Sequence, residues 1–397
     1  MTNRRIFLKN IALLGAATTV PVHNLFAQST ENTAHATVSY YKKIGHIKPL
    51  SRIITIPDVG EFKVLKGDFH THTLFSDGAV MPKDRVLEAI DNGLDVVSIT
   101  DHINSAVFRA YPNIHNEVVI TDRLGASGSR IDQNIPYILA KSEAEKSELI
   151  LVRGVEIATK DATREFHINC IFVQDVNTIA EANDRRTLFA ADNEWRKMLA
   201  ISAEQGGFNF WNHPDPGFGD PMRIFDELEK VRQKGHLHGI EVFNFFSHYP
   251  FALDWCNASD LAPIANTDIH PSDWNAYGHQ NPLRPITLVL AKERTYDSVR
   301  EAFFARRIIG WAAGMVLGSR KWLEQLFVAC VTMTKKPGLL ELTNKSDIPC
   351  FVKAGGAIRE LPAQGQLSMY RSDGVKKLTV SNWLVGTNQP LEIDIPQ

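Results

Sequence analysis

Two histidines one residue apart, His70 and His72, stand at the end of an apolar run in Gly67-Asp68-Phe69-His70-Thr71-His72-Thr73-Leu74-Phe75-Ser76-Asp77-Gly78. Val64, Leu65 and Phe69 read as strand. On a strand, residues i and i+2 project to the same side, so both imidazoles can address one point. A lone pair of this kind is usually two hydrogen-bonded core histidines. The rest of the chain shifts that balance, because a further ligand type closes nearly every later apolar run. These are Asp77, His102 in Thr100-Asp101-His102, Glu156 in Gly154-Val155-Glu156, His167, His213 in Asn212-His213-Pro214, and Asp268 with His270 in Thr267-Asp268-Ile269-His270. Such a mixture of imidazoles and carboxylates suits borderline divalent ions. It also exceeds one coordination sphere. Three ions with three or four protein ligands each, one carboxylate bridging, would use every one of these residues and leave positions for water and substrate.

The elements that must position these residues alternate. The pattern predicts strand 64–70, helix Pro82–Ile90, strand 96–100, a long polar insertion, helix 135–149, strand 150–157, strand 166–173, helix 187–205, strand 208–212, helix 221–234, strand 239–244, strand 262–267, strand 286–290 and helix 296–306. Pro82 suits a first helical turn and Asn92-Gly93 ends that helix. Strands alternating with helices argue for a parallel sheet, and this many units for closure into a barrel with its site at the C-terminal strand ends. After a helix over 321–330 the texture changes to short β-type runs at 339–342, 350–352, 378–380 and 391–393. Gly and Pro turns separate them, which predicts a small β-sandwich over 331–397 without a titratable cluster of its own.

The chain has 397 residues, 44% of them hydrophobic, and a net charge of −2. That is enough for one large and one small domain, and it gives no reason to expect a nucleic-acid partner; the expected substrate is a small molecule. Arg4 and Arg5 precede Phe7-Leu8-Lys9 and the apolar run Ile11–Ala17, and Ala27 offers a cleavage position. Residues 1–27 thus look like a bacterial twin-arginine export signal, which implies a periplasmic or extracellular protein. Residues 28–62 read as a linker or lead-in. No further stretch is apolar for long enough to anchor the mature chain in a membrane. Cys170, Cys256, Cys330 and Cys350 lack CxxC spacing and read as buried free thiols.

In order, HxH, Ser-Asp-Gly, Thr-Asp-His, Gly-Val-Glu, His, Asn-His-Pro and Asp-x-His resemble the PHP (polymerase and histidinol phosphatase) domain, over about residues 63–320 of the 63–330 domain. The resemblance implies a distorted (β/α)7 barrel with three divalent metal ions (Zn, Mn or Fe) and phosphoesterase activity. It implies one ion held by His70, His72, Glu156 and Asp268, a second by Glu156, His167 and His213, and a third by Asp77, His102 and His270. Asp77 stands where some members carry histidine. Two such ions, about 3.5–4 Å apart, could hold a hydroxide for in-line attack on phosphorus, with Glu156 and Asp268 as the catalytic residues holding that metal-bound hydroxide, while the third neutralises developing charge. A hydroxide of this kind is not selective for phosphorus, so hydrolysis of an amide, lactone or glycosidic bond is the alternative. A decayed, non-catalytic metal- or glycan-binding barrel is a third reading, and the intact ligand set argues against it.

Other polar residues carry lesser expectations. Asp101 could accept from a ligand histidine or cap a backbone amide. The insertion after His102 supplies Arg109, Arg123 and Arg130 as candidate substrate contacts, since arginine suits bidentate phosphate binding. Asp273-Trp274 and Tyr277-Gly278 form a second candidate wall. His236 and His238 read as solvent-exposed loop histidines, His248 and His279 as structural, and Phe243, Phe245 and Phe246 as barrel core.

Overall fold

A computed structural model describes residues 52–104, 132–160, 165–183, 189–191, 193–214, 226–277, 284–370 and 374–396. The proposed export signal, His279, and Arg109, Arg123 and Arg130 lie outside the described residues. The first elements are β1 (Lys63–Asp68), α1 (Pro82–Asp91), β2 (Val96–Ile99), α2 (Ile135–Ala144), β3 (Ile150–Lys160), β4 (Glu165–Ile171), α3 (Val176–Glu181) and β5 (Phe189–Ala191). Next come α4 (Glu194–Glu204), β6 (Phe208–Trp211), α5 (Asp226–Gln233), β7 (Gly239–Asn244), β8 (Ser247–His248), α6 (Pro250–Ser259), β9 (Ala262–Asn266), α7 (Asp273–Tyr277), β10 (Ile286–Ala291) and α8 (Tyr296–Phe304). The remainder is β11 (Ile308–Ala312), β12 (Met315–Leu317), α9 (Arg320–Cys330), β13 (Val331–Lys336), β14 (Leu339–Asn344), β15 (Cys350–Lys353), β16 (Arg359–Leu361), β17 (Gln366–Tyr370), β18 (Lys377–Gly386) and β19 (Gln389–Asp394).

Strands β2, β6, β7, β9 and β10 are buried at every position. Strands covered on both faces read as mainly apolar runs rather than alternations, and these do, broken by buried polar residues such as Asn209, Glu241, Asn266 and Thr287. They join in the order β9-β7-β6-β4-β3-β2-β1-β10 around the barrel. Thr287 of β10 closes the seam to β9, its Oγ1 donating to the Ala265 carbonyl at 2.7 Å and accepting from the Ala265 amide at 3.1 Å. The sheet is mixed where the alternation predicted parallel pairing. β4 runs antiparallel to both β3 and β6, and β10 antiparallel to β1. Because β4 is reversed, its beginning lies at the barrel end where β3 finishes, which is how His167, near the start of a strand, reaches the same mouth as residues past strand ends.

The helices cover this sheet with apolar stripes. In α1 the buried positions Pro82, Arg85, Val86 and Ala89 follow helical spacing. Gly93 then turns with φ of 71°, so close to the Arg52 carbonyl that a Cβ would lie 2.2 Å from it. Residues 52–62, read as lead-in, pack on the barrel here: Arg52 donates to the Asp91 carbonyl at 2.8 Å and Ile54 is buried. The helix expected over 187–205 resolves into β5 and the shorter α4, and α6 was not foreseen because Pro250-Phe251-Ala252-Leu253 is apolar with no polar face to set a period.

The C-terminal β-sandwich has one sheet of β13, β14 and β17, and a second built on β15, β16, β18 and β19. The second is continuous with the barrel sheet, since β18 pairs parallel with β12. Alternate residues of β14 are buried, as the period of two requires. The four cysteines are free and buried, as expected.

Candidate metal centre

The centre is assembled by backbone pairing beyond the regular strands. The chain after β1 zips onto the chain after β9: the Asp268 amide donates to the His70 carbonyl at 2.9 Å and the His72 amide to the Ile269 carbonyl at 3.1 Å. The chain after β2 zips onto β3, the Glu156 amide donating to the Asp101 carbonyl at 3.1 Å and Ile103 to the Glu156 carbonyl at 2.9 Å. Two candidate ligand residues sit in left-handed backbone, His213 with φ of 30° and Asp268 with φ of 50°. Strain of this kind concentrates at functional sites. Gly78 is required by close approach, because a Cβ there would stand 2.6 Å from the His72 carbonyl oxygen and the Thr73 amide nitrogen.

Three groups of donors converge: His70, His72, Glu156 and Asp268; His72, Asp77, His102 and His270; and His102, Glu156 and His167. Glu156 faces two sides. Its Oε1 lies 3.3 Å from His70 Nε2, 3.1 Å from His167 Nδ1 and 3.6 Å from His213 Nε2, and its Oε2 lies 3.1 Å from His72 Nε2 and from His102 Nδ1. Asp268 Oδ1 is 3.2 Å from His70 Nε2 and 3.1 Å from His72 Nε2. Asp77 Oδ2 is 3.1 Å from His270 Nε2 and 3.6 Å from His102 Nε2. The structure thus brings together all the residues the sequence singled out as ligands. His213 is the loosest, within 4.0 Å of Asp268 Oδ2, and His102 presents its two nitrogens to two different groups.

Whether this set fits divalent ions is decided by the groups behind it. His70 Nδ1 faces Glu241 Oε1 at 2.9 Å, His270 Nδ1 donates to the Asp268 carbonyl at 2.8 Å, and His72 Nδ1 meets Ser76 Oγ at 3.1 Å. Each contact places the ring proton on Nδ1 and leaves Nε2 as a lone pair turned inward. His70 Nε2 and His72 Nε2 then face each other at 3.1 Å, and His102 Nδ1 is buried without a hydrogen bond. Opposed lone pairs need a cation between them. Ligands about 2.1 Å from an ion lie roughly 3.0 Å apart on an octahedral edge and about 3.4 Å on a tetrahedral one, and the inner contacts of 3.1–3.3 Å match.

Without a cation the same charges must be met by protons. Burial opposes charge on His70 and His72, but the carboxylates of Asp268, Glu156 and Asp77 outweigh it and hold both imidazoles well above the ordinary histidine value. Burial likewise opposes His167, and Glu156 outweighs it, raising that imidazole to about 9. The histidines in turn overcome burial to hold Glu156 and Asp268 well below the usual carboxylate range. A cation entering this cluster therefore displaces protons.

Asp101 does not contact a histidine. It caps the loop, accepting from the Thr73 amide and hydroxyl at 2.7 Å and from Ser76 Oγ at 2.6 Å, so it reaches His72 only through that hydroxyl. Asp273 is buried and accepts from Asn92 and Arg284, and Tyr277 is buried too, so neither forms an open wall. Phe243 is core, as expected, but Phe245 and Phe246 form a turn whose tip, Phe246, is 54% exposed and meets Phe245 edge-on and Tyr277 at a tilt. His238 is not a solvent-exposed loop residue: it packs against Phe208 and Phe304, and its Nδ1 accepts from the Asn209 amide at 3.0 Å. His236 is half-buried, and His248 packs on Phe243.

Sequence reasoning missed three residues. Glu241 is buried behind His70. Asn212 holds Glu156, donating to its Oε1 at 2.7 Å. Arg85, 2% exposed, donates to the carbonyls of His72, Ile269, His270 and Pro271 and ties the two ligand segments together. Glu241 carried a signal, for Gly239-Ile240-Glu241 repeats the pattern of Gly154-Val155-Glu156.

Residues 68–239 match the family described as PHP domain. Comparison with curated proteins gives no match. Among solved structures, the chain is similar to a two-domain protein from Bacteroides vulgatus ATCC 8482 that contains a predicted PHP-like metal-dependent phosphoesterase. The two are 28% identical with a TM-score of 0.71, over 87% of this chain and 98% of that one. Weaker similarities join it to an amidohydrolase from Chromobacterium violaceum (14% identity, TM-score 0.33, 54% of this chain and 90% of that one). The same holds for a lesion-specific endonuclease from Pyrococcus furiosus (14% identity, TM-score 0.39, 61% and 56%). With the candidate ligand set in place at the barrel mouth, the PHP-domain match over residues 68–239 and the likeness to the two-domain protein support a metal-dependent hydrolase.

Proposed function

We propose that the protein is an exported phosphoesterase acting on a small phosphomonoester or phosphodiester. The observation that carries this reading is the sharing of Glu156 between donor groups that together offer places for three divalent ions. His70, His72, Glu156 and Asp268 would hold the first, Glu156, His167 and His213 the second, and Asp77, His102 and His270 the third. Bound divalent ions supply Lewis acidity toward phosphoryl oxygens and lower the pKa of water. The chain's own part is positional. His70, His72 and Glu156 are shut away from solvent, while His167, His213, His270 and Asp77 have side chains 17%, 22%, 35% and 51% exposed. Substrate would therefore approach over the Asp77–His270 and His167–His213 edges, with the inner residues excluding water. A near-neutral chain favours a small substrate over a nucleic acid.

The test is turnover of metal-reconstituted protein on a panel of phosphomonoesters, phosphodiesters, and amide, lactone and glycoside substrates. Turnover confined to phosphate esters is expected. Activity confined to a non-phosphate bond would overturn the proposal and favour the alternative hydrolase.

A further inference from the structure

Glu241 is fully buried on β7, and the donors around it come from four separate stretches of the chain. Oε1 faces His70 Nδ1 at 2.9 Å and accepts from Asn266 Nδ2 at 3.0 Å. Oε2 accepts from the His213 backbone amide at 2.7 Å and from Asn244 Nδ2 at 2.8 Å. Every neighbour donates, so an ionised carboxylate, which only accepts, is satisfied on both oxygens. On one side it fixes the proton of His70 on Nδ1 and so turns Nε2 inward. On the other it clamps the amide of His213, whose backbone sits at φ of 30°.

We propose that Glu241 is the positioning residue that couples the inner two ion sites, setting the tautomer of His70 and the backbone of His213 with one carboxylate. The inference rests on the metal-centre reading above. It also predicts that glutamine, although the same shape, does not replace it. An amide puts its NH2 group against donors whichever way it turns. Turned toward His70, it drives the proton to Nε2 and removes that ligand; turned toward His213, it releases the strained amide. Among the described residues no hydrogen bond or ion pair joins Glu241 to Asp77, His102 or His270, so that site should be indifferent.

The experiment compares wild type, Glu241→Gln and Glu241→Asp by cadmium titration, with elemental analysis and one cadmium-113 resonance counted per bound ion. Wild type is expected to show three resonances. Glu241→Gln should keep the outer resonance and bind one or both inner ions about 10- to 100-fold more weakly, the usual cost of losing a group behind a metal ligand. Glu241→Asp keeps an acceptor-only group and should be the milder change. A packing role predicts the reverse order, since aspartate leaves a cavity and glutamine does not. Glutamine milder than aspartate, or equal loss from all sites, would overturn the proposal. If Glu241→Gln does not fold by circular dichroism, aspartate decides alone: cadmium affinity within twofold of wild type, with the carboxylate drawn back from both donors, overturns it. A wild type that saturates at one ion defeats the metal-centre reading itself, an outcome visible without either variant.

Discussion

Glu156 turns one oxygen toward His70, His167 and His213 and the other toward His72 and His102, so its loss should be felt on both sides at once. Glu156→Gln is expected to lower metal content by more than one ion per chain and to abolish turnover, whereas Asp77→Ala, at the half-exposed edge, should release mainly the third ion. Elemental analysis of the two purified variants checks this, and equal losses with similar residual activity would overturn the assignment. A second prediction concerns a histidine far from the ligands. Burial lowers His238 to about 4, with Arg306 and His236 adding to the effect. The unfolded chain takes up that proton near pH 6.5, so the stability it confers is present above 6.5 and is lost as pH falls toward 4, on the order of 2 kcal/mol by pH 5. His238→Asn, which can still accept from the Asn209 amide, should show a smaller fall in urea midpoint between pH 7 and 5 than wild type. Identical falls would show that His238 is not responsible. The candidate ligands were legible because few residue types bind divalent ions and these stand beside short, distinctive neighbours. Glu241 and Arg85 were not, because the groups that give them meaning, His70 and His270, arrive from 171 and 185 positions away.

Strand and helix order was readable from apolar runs and turn residues, but pairing direction was not. β4 follows β3 through a short connection and folds back antiparallel, a choice that local periodicity does not encode. Closure was equally hidden, since the hydrogen bonds between β9 and β10 come from a side-chain hydroxyl and not from a backbone ladder. Thr287 both donates to and accepts from the backbone of Ala265, replacing a ladder rung between β10 and β9. Thr287→Val keeps the shape and removes both bonds, leaving a buried amide and carbonyl unpaired, which costs about 2–4 kcal/mol. Because β9 leads directly into Asp268 and His270, the variant should also bind metal more weakly than its lost stability alone explains. Denaturant titration of the metal-free protein separates the two effects. A loss below about 0.5 kcal/mol would mean that the seam is held by packing and not by the hydroxyl.

At the scale of the whole molecule the C-terminal β-sandwich and the barrel share a core. One cluster of buried side chains runs from Val64, Val97 and Ile309 in the barrel through Trp322 and Phe327 of α9 to Leu340, Val380 and Trp383 in the sandwich. The join is specific as well as apolar: Val316 and Leu317 pair with Trp383 and Leu384, Asn257 of α6 donates to the Val385 carbonyl at 2.8 Å, and Asp254 accepts from the Thr387 amide at 2.9 Å. Every proposed ligand nevertheless precedes Pro271, so the sandwich should support the barrel without entering the chemistry. A chain ended after Thr334 would uncover Trp322, Leu323, Leu326 and Phe327 together with the free edge of β12. An apolar face beside an unpaired strand edge is an aggregation site. The truncated protein is therefore expected to be insoluble, or to unfold with a much lower midpoint, as sedimentation and thermal melts would report. A soluble truncated chain that binds its full complement of metal but has lost all activity on a small substrate would show instead that the sandwich reaches the active site. The first residues to examine would then be those of the turn around Gly355 and Gly356, beyond the end of β15.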